Sequence, residues 1–329
     1  MSYTSESVLP NGTKLKQVRE VITLLDFKKV DDGLKIPTRT DSMMWLEYED
    51  YKSWVGVELD IYRENGQITV TTRSRAGRSY WDLEHQNKTL KFLRNIFGGH
   101  FHTDAGKNRY WHPEENPPSY MASGCYLARW RFHNALIKPR LYLNQRGLDQ
   151  GNASPMPTGL DFIDQMNPRL FSNNLLIPYV IAIWEEYFKS TFVALIKYSD
   201  HRESALKRAK LSQSQLELIA SGYQRVEEAF AESFSFQRPS NVGNNFKLID
   251  PKLDISGALR KPYRRRKKSL YDSIEEIVEL RNEFVHTGEM DTTMTDTAVE
   301  KVINDVETAV DRAYSTIGKF YHFTPIRSY

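Results

Sequence analysis

From about residue 160 to the end, apolar residues return every three or four positions, a period that fits helices and not strands. The last stretch shows it most fully. Over Thr295–Lys319, Ala298, Val299, Val302, Ile303, Val306, Ala309, Val310, Ala313 and Ile317 fall on one broad face. Three more helices are predicted ahead of it. One covers Leu175–Tyr198, preceded by Asn174 and with Pro178 tolerated in its first turn. A second covers Ser212–Phe234, and a third covers Ser269–Val285 and stops near Gly288. Asn241–Gly257 reads as a loop-like insert. Four helices of this length imply a bundle.

Before residue 150 the pattern is mixed. Lys14–Phe27 spaces Leu15, Val18, Val21, Ile22 and Leu25 as a short amphipathic helix. Val55, Val57, Leu59 and Ile61 then alternate with polar residues, and Ile68 and Val70 follow Asn65-Gly66. Asn-Gly between alternating runs predicts a hairpin, because both turn residues accept positive φ. That turn sets Glu58 opposite Arg73 and makes them a cross-strand charge pair. Asp82–Phe97 reads as a helix ending at Gly98-Gly99, and Tyr126–Ile137 as another. The fold expected is an α+β N-terminal domain over residues 1–150, then an all-α bundle over residues 158–329. The linker falls in the Gly- and Pro-rich segment Gly147–Pro157.

Composition removes several function classes. With Cys125 as the single cysteine there is no internal disulfide and no cysteine-based zinc site. Met1–Thr13 lacks the apolar core of a signal peptide. The longest apolar run, Leu175–Trp184, is short of the ~20 residues a membrane span needs. A soluble cytoplasmic protein without a membrane partner is expected. The net charge of +3 permits a nucleic-acid partner without demanding one.

The third bundle helix ends Leu280-Arg281-Asn282-Glu283-Phe284-Val285-His286-Thr287-Gly288. Arginine and histidine at this spacing are a weak signal alone; the context is what is unusual. At about 100° per residue, Leu270, Ile274, Ile277, Leu280, Phe284 and Val285 make an apolar arc with Arg281 in its middle. A guanidinium aimed at a core must be paired or line a cleft. Asn282 and His286, four apart, share the polar side, and His286 sits in the last turn.

A helical bundle whose late helix carries Arg-Asn-x-x-x-His resembles the HEPN superfamily, which includes toxins of toxin–antitoxin pairs and abortive-infection proteins. The resemblance covers about half the chain. It implies a metal-independent endoribonuclease of a toxin or antiphage-defence type, with no cofactor and no metal. It also implies a homodimer or higher homo-oligomer in which two motifs share a cleft. Arg281 and His286 are then catalytic, with Asn282 orienting one of them or holding a phosphate oxygen. Products are a 2′,3′-cyclic phosphate and a 5′-hydroxyl. An antitoxin or a trigger ligand is a further partner of that kind of protein, and the first domain a sensor or regulator. Imidazole near its ordinary pKa of ~6.5 can exchange protons with a 2′-hydroxyl, and a permanently charged guanidinium suits the charge gathering at phosphorus. Two other readings stand beside this one: a non-catalytic HEPN-like RNA-binding or dimerisation module, and an unrelated helical bundle.

Other signals are weighed against plainer readings. One of Glu185 and Glu186 is expected to hold Arg281, the plain alternative being two surface charges. Lys261, Arg264, Arg265, Arg266, Lys267 and Lys268 enter the motif helix and read as an RNA phosphate-binding cluster, with Tyr263 as a stacking ring, or else as a solvated loop. His100, His102 and Asp104, with His112 nearby, have the spacing for a zinc site, but a polar loop is the preferred reading. Tyr126–Tyr142 interleaves Arg129, Trp130, Arg131 and Arg140 with aromatic rings and is read as packing at the domain boundary in preference to a stacking surface.

Overall fold

The alternating segments of the first half pair into one antiparallel sheet in the computed structural model. The structure describes all residues except 1, 32, 34–35, 112–115, 149–155, 208, 210, 265 and 327–329. Its strands are β1 (Tyr3–Val8), β2 (Lys28–Lys29), β3 (Arg39–Trp45), β4 (Val57–Glu64), β5 (Gln67–Ser74), β6 (His100–Thr103) and β7 (Gly106–Lys107). Their spatial order is β2-β3-β4-β5-β1-β6-β7. The β4–β5 turn holds Asn65 at φ 49° and Gly66 at φ 83°, as the dipeptide predicts. Glu58 does stand opposite Arg73 in the register. Its ion pair is with Arg75 instead, a diagonal neighbour on the same face that a long side chain reaches.

Two helices, α1 (Leu15–Leu24) and α2 (Tyr80–Phe97), complete this unit. Val18 and Ile22 of α1 and Leu93 of α2 join Val57, Leu59, Ile61, Ile68 and Val70 in a single core. Helix α2 starts two residues earlier than the pattern suggests, because Ser79 caps it reciprocally with Asp82.

The remaining helices are α3 (Tyr120–Leu148), α4 (Asp161–Asp164), α5 (Pro168–Lys197), α6 (Arg202–Leu206), α7 (Gln213–Ala220), α8 (Val226–Glu232), α9 (Pro239–Ile249), α10 (Ile255–Arg260), α11 (Leu270–Thr287) and α12 (Asp296–Phe320). By contact the chain divides into units Met1–Ser123 and Gly124–Pro325. Most of α3, which the sequence assigned to the first domain, therefore belongs with the bundle. The expected linker at Gly147–Pro157 falls mostly outside the described residues.

Several sequence-based boundaries need correction. Helix α5 begins at Pro168, with Asn167 as its cap, so Pro178 lies in its interior and not in its first turn. The expected helix over Ser212–Phe234 is two, α7 and α8, broken where Gly222 takes φ 76°. The segment Asn241–Gly257 is no loop: it holds most of α9 and the start of α10. Gly243 and three asparagines depress its helix propensity, yet Val242, Phe246 and Ile249 are buried at helical spacing. A Cβ at Gly243 would meet the Ser256 Oγ at 1.9 Å, so the glycine lets α10 close on α9.

Helix α5 is the bundle's centre and packs against α8, α9, α11 and α12. It buries Trp184, Phe188 and Phe192, and the Trp184 Nε1 donates to the Phe236 carbonyl at 3.0 Å. Where α3, α5 and α12 converge, Asp296 accepts from Arg146 at 2.6 Å, from the Arg169 Nε at 3.1 Å and from Asn173 at 3.0 Å. Burial opposes its charge, but Arg169, Asn173 and Arg146 outweigh that and hold the carboxyl below the usual aspartate range. Further along α12, His133 lies between Glu307 and Asp311, each 3.2 Å from a ring nitrogen. Burial works against the imidazolium, but the bonds to Asp311 and Glu307 prevail and raise its pKa above 6.5. Hydrogen bonds from His133 and then Arg140 lower Glu307 from 4.5 to about 2.

Asp296→Ala should cost about 2–3 kcal/mol in urea unfolding, because it strands two arginines and an asparagine on one spot. The His133 contacts stabilise fully below pH 6.5 and fade as pH rises through the raised folded pKa. The Glu307 contacts are present above pH 4.5 and fade as pH falls toward 2. Thermal melts of His133→Gln should therefore differ more from wild type at pH 6 than well above the histidine's folded pKa.

Candidate active site and its surroundings

Helix α11 is anchored in the apolar core at one end only. Ser269 caps it through the Asp272 N–H, and Leu270, Ile274, Ile277 and Val278 are buried. Beyond Val278 no residue of the helix is buried. Leu280, Arg281, Asn282 and Phe284 are half-buried, while Val285 and His286 are exposed. Gly288 ends the helix at φ 76° and ψ 0°, its N–H bonded to the Phe284 carbonyl, as the sequence implies. The apolar arc thus outruns the core, and Arg281 stands where the core stops.

The Arg281 guanidinium donates through Nη1 to the Asn282 Oδ1 at 2.9 Å. Its Nε is buried with no hydrogen-bond partner among the described residues. The expected tether to Glu185 or Glu186 is absent: Glu186 is exposed and accepts from Ser190, and Glu185 makes no bond to Arg281. The reason is the direction of packing. Phe284 meets Phe171 edge-on at 6.1 Å, so the end of α11 lies at the start of α5. Glu185 is then about 20 Å farther along that helix. Arg281 and His286, five residues apart, point about 140° away from each other around α11, whereas Asn282 and His286 share a stripe.

The loop after α11 is fixed by residues that the sequence reading missed. Asn174 is buried; its Oδ1 accepts the Asp291 N–H at 3.0 Å and its Nδ2 donates to the Asp291 carbonyl at 3.1 Å. Asn173 donates to the Met294 carbonyl at 2.8 Å. Two asparagines ahead of an apolar run are a signal, since buried amides must find partners; the sequence reading places Asn174 just before the helix and assigns Asn173 nothing.

The basic segment before α11 is not one surface. Arg266 is bound by both oxygens of buried Asp305, at 2.7 and 2.8 Å, and Lys268 pairs with Glu276. Lys261, Arg264 and Lys267 are exposed and form no ion pair among the described residues, and Arg265 lies outside those residues. Tyr263 cannot serve as a stacking ring. It is buried, bonded to Thr308 at 3.1 Å and surrounded by Arg264, Arg266 and Arg312 with guanidinium carbons 5.0–5.6 Å from the ring centre.

His100 and His102 share a face of β6, their rings 5.1 Å apart, and Asp104 follows the strand. His112 lies outside the described residues, and no metal-binding cluster occurs among those residues. In α3, Arg129 and Arg140 are held by Asp311 and Glu307 of α12, which is packing.

Residues 160–319 match the model of the family described as RiboL-PSP-HEPN. No curated protein and no solved structure matches the chain. Among the described residues no helix is long and apolar enough to cross a membrane.

Because no carboxylate among the described residues pairs with Arg281, its removal leaves no buried charge behind there. Arg281→Ala should change the unfolding free energy by no more than about 1 kcal/mol. A loss of several kcal/mol in urea titration would reveal a paired arginine.

Proposed function

We propose, from the premise that this chain belongs to the HEPN superfamily through residues 160–319, that it is an endoribonuclease whose cutting groups are Arg281 and His286. The observation that carries this reading is the end of α11, where an arginine uncommitted to any carboxylate and an exposed histidine project from the margin of the core. In the reaction, one His286 takes the proton of a 2′-hydroxyl and the 2′-oxygen attacks phosphorus. The bond from phosphorus to the 5′-oxygen breaks, and the leaving oxygen takes up a proton. Arg281 faces the non-bridging oxygens, and Asn282 holds its guanidinium in place. This chemistry draws on no metal, and it ends in a 2′,3′-cyclic phosphate and a 5′-hydroxyl.

The divergence of Arg281 and His286 around one helix supports a site shared by two copies. So does the surface beside it. Segment 160–175 exposes Leu160, Phe162, Ile163, Met166, Phe171 and Leu175, and Val285 of α11 is exposed as well. Phe171 on Phe284, and Gln165 on the Met290 carbonyl, set this segment against the motif helix. An apolar surface next to the site suits a second copy related by a two-fold axis. A toxin or defence role, an antitoxin or trigger as partner, and regulation by the N-terminal unit complete the proposal.

Incubation with total RNA and mapping of the ends tests the chemistry. His286→Ala should abolish cleavage and leave RNA affinity nearly intact, and chelator should not protect the RNA. RNA bound but never cut would favour the non-catalytic module instead. For assembly, light scattering should give at least a dimer at micromolar concentration. Met166→Glu with Val285→Glu should yield a monomer that no longer cuts, and cutting by that monomer would exclude a shared site.

A further inference from the structure

Some 15 residues before His286, at the other end of α11, the surface opens into a cleft of about 330 Å³. Ser240, Asn244 and Lys247 line it from α9, Ser256 and Arg260 from α10, and Tyr271 from the first turn of α11. The three α9 residues recur at helical spacing, so one face of that helix presents only polar groups to the cleft. Gly243 permits this geometry, since it allows the Ser256 side chain to sit against α9.

The charges in the cleft are unbalanced. The Arg260 guanidinium lies 3.7 Å from the centre of the Tyr271 ring, which fixes the group and leaves its N–H edge available. Neither Arg260 nor Lys247 forms an ion pair or a side-chain hydrogen bond among the described residues. Asp254 is the one carboxylate in the lining, and its Oδ1 is occupied by the Gly257 N–H at 2.8 Å as the cap of α10. Glu275 and Glu279, on the next turns of α11, are engaged by Arg238. Exposed Lys261, Arg264 and Lys267 continue from Arg260 along the chain toward α11. Ser256 gives its hydroxyl proton to the Pro239 carbonyl at 3.3 Å, which leaves two uncommitted cations, the Ser240 hydroxyl and the Asn244 carboxamide around one cleft, the chemistry of a phosphate receptor.

We propose that this cleft binds a backbone phosphate of the RNA strand several nucleotides away from the bond that is cut. The inference rests on the reading of the protein as RNA-binding. A straight helix places Tyr271 about 22 Å from His286. A strand reaching from the motif to the cleft thus crosses the length of α11, and an oligonucleotide covering only the cut site does not touch Lys247 or Arg260. The cleft makes a demand on RNA length that the cutting groups alone do not.

The test measures binding of 2′-O-methyl RNA, which lacks the attacking hydroxyl and stays intact, by fluorescence anisotropy. A long oligonucleotide and one too short to span both places are compared on wild-type protein and on Lys247→Gln/Arg260→Gln. The expected result is a roughly tenfold loss of affinity for the long RNA. Its salt dependence should weaken by about 0.7 in logarithmic slope, the share of one phosphate on a single strand. Affinity for the short RNA should be unchanged. Circular dichroism checks folding; if the double variant is unfolded, exposed Lys247→Gln alone should show the same pattern at smaller size. Unchanged affinity for long RNA, or equal losses for long and short, overturns the proposal. A polyglutamate peptide that binds wild type and depends on both cations overturns it too, in favour of an acidic protein ligand. Wild type that binds RNA without cutting it removes the nuclease assignment and leaves the cleft standing; wild type that binds no RNA removes both.

Discussion

Asp296 stands in the first turn of α12, where the positive end of the helix already favours a carboxylate. Arg146 from the end of α3, and Arg169 and Asn173 from the start of α5, close on it from two other elements. Three helix ends far apart in sequence are thus joined by one charge. The geometry is sensitive because the partners are mutually dependent: the arginines are half-buried and, among the described residues, pair with no other carboxylate. Asn173 couples the cluster to the loop after α11, since the same amide nitrogen that reaches Asp296 also reaches the Met294 carbonyl. Asn174, next along α5, clamps Asp291 in the same loop. The loop in turn fixes where α11 stops. The candidate site therefore owes its position to polar bonds at the ends of helices, whereas the apolar core holds only the first half of α11.

That division resolves the contradiction in the sequence of α11. A full apolar arc with an arginine at its centre looks like a buried charge, which demands a partner. The helix instead leaves the core after Val278, so Phe284 and Val285 are apolar without being buried, and Arg281 is half-buried without an ion pair among the described residues. Burial of its Nε while Nη1 bonds Asn282 restricts the guanidinium without neutralising it. An arginine kept in place with its charge unspent is suited to a developing anion, and a neighbouring carboxylate would have cancelled that use.

What was legible in the sequence had one cause, and what was not had another. The β4–β5 turn, the α12 face and the Gly288 stop depend on local backbone rules, and each is where the residues indicate. The HEPN assignment of residues 160–319 was likewise readable from the end of α11. Long-range choices were not. Nothing near Arg266 says that it belongs to Asp305 while Lys261 and Lys267 form no ion pair among the described residues, because that depends on which helix face α12 presents. The allegiance of α3 to the bundle is set by His133, Arg129 and Arg140 meeting carboxylates more than 160 positions later. The glycine and asparagines of α9 disguised a helix whose weak propensity is outweighed by packing against α10.

Helix α11 joins the two places where RNA chemistry is proposed, and this gives its rigidity a meaning. Its first turns are clamped by the core and by Ser269, and its last by Gly288 and the asparagine-held loop. Between these clamps the separation of Tyr271 from the motif is set by helical rise and not by side-chain rotamers. A phosphate held at the first end fixes the register of a strand relative to His286 at the second. Selection by length would then follow from backbone geometry, without any contact to a base. Two copies meeting at the motif would place their clefts on opposite sides of the two-fold axis, directed away from each other. A strand engaged by one copy's cleft would therefore reach the shared site from one side only, and polarity, too, would be imposed by the fold.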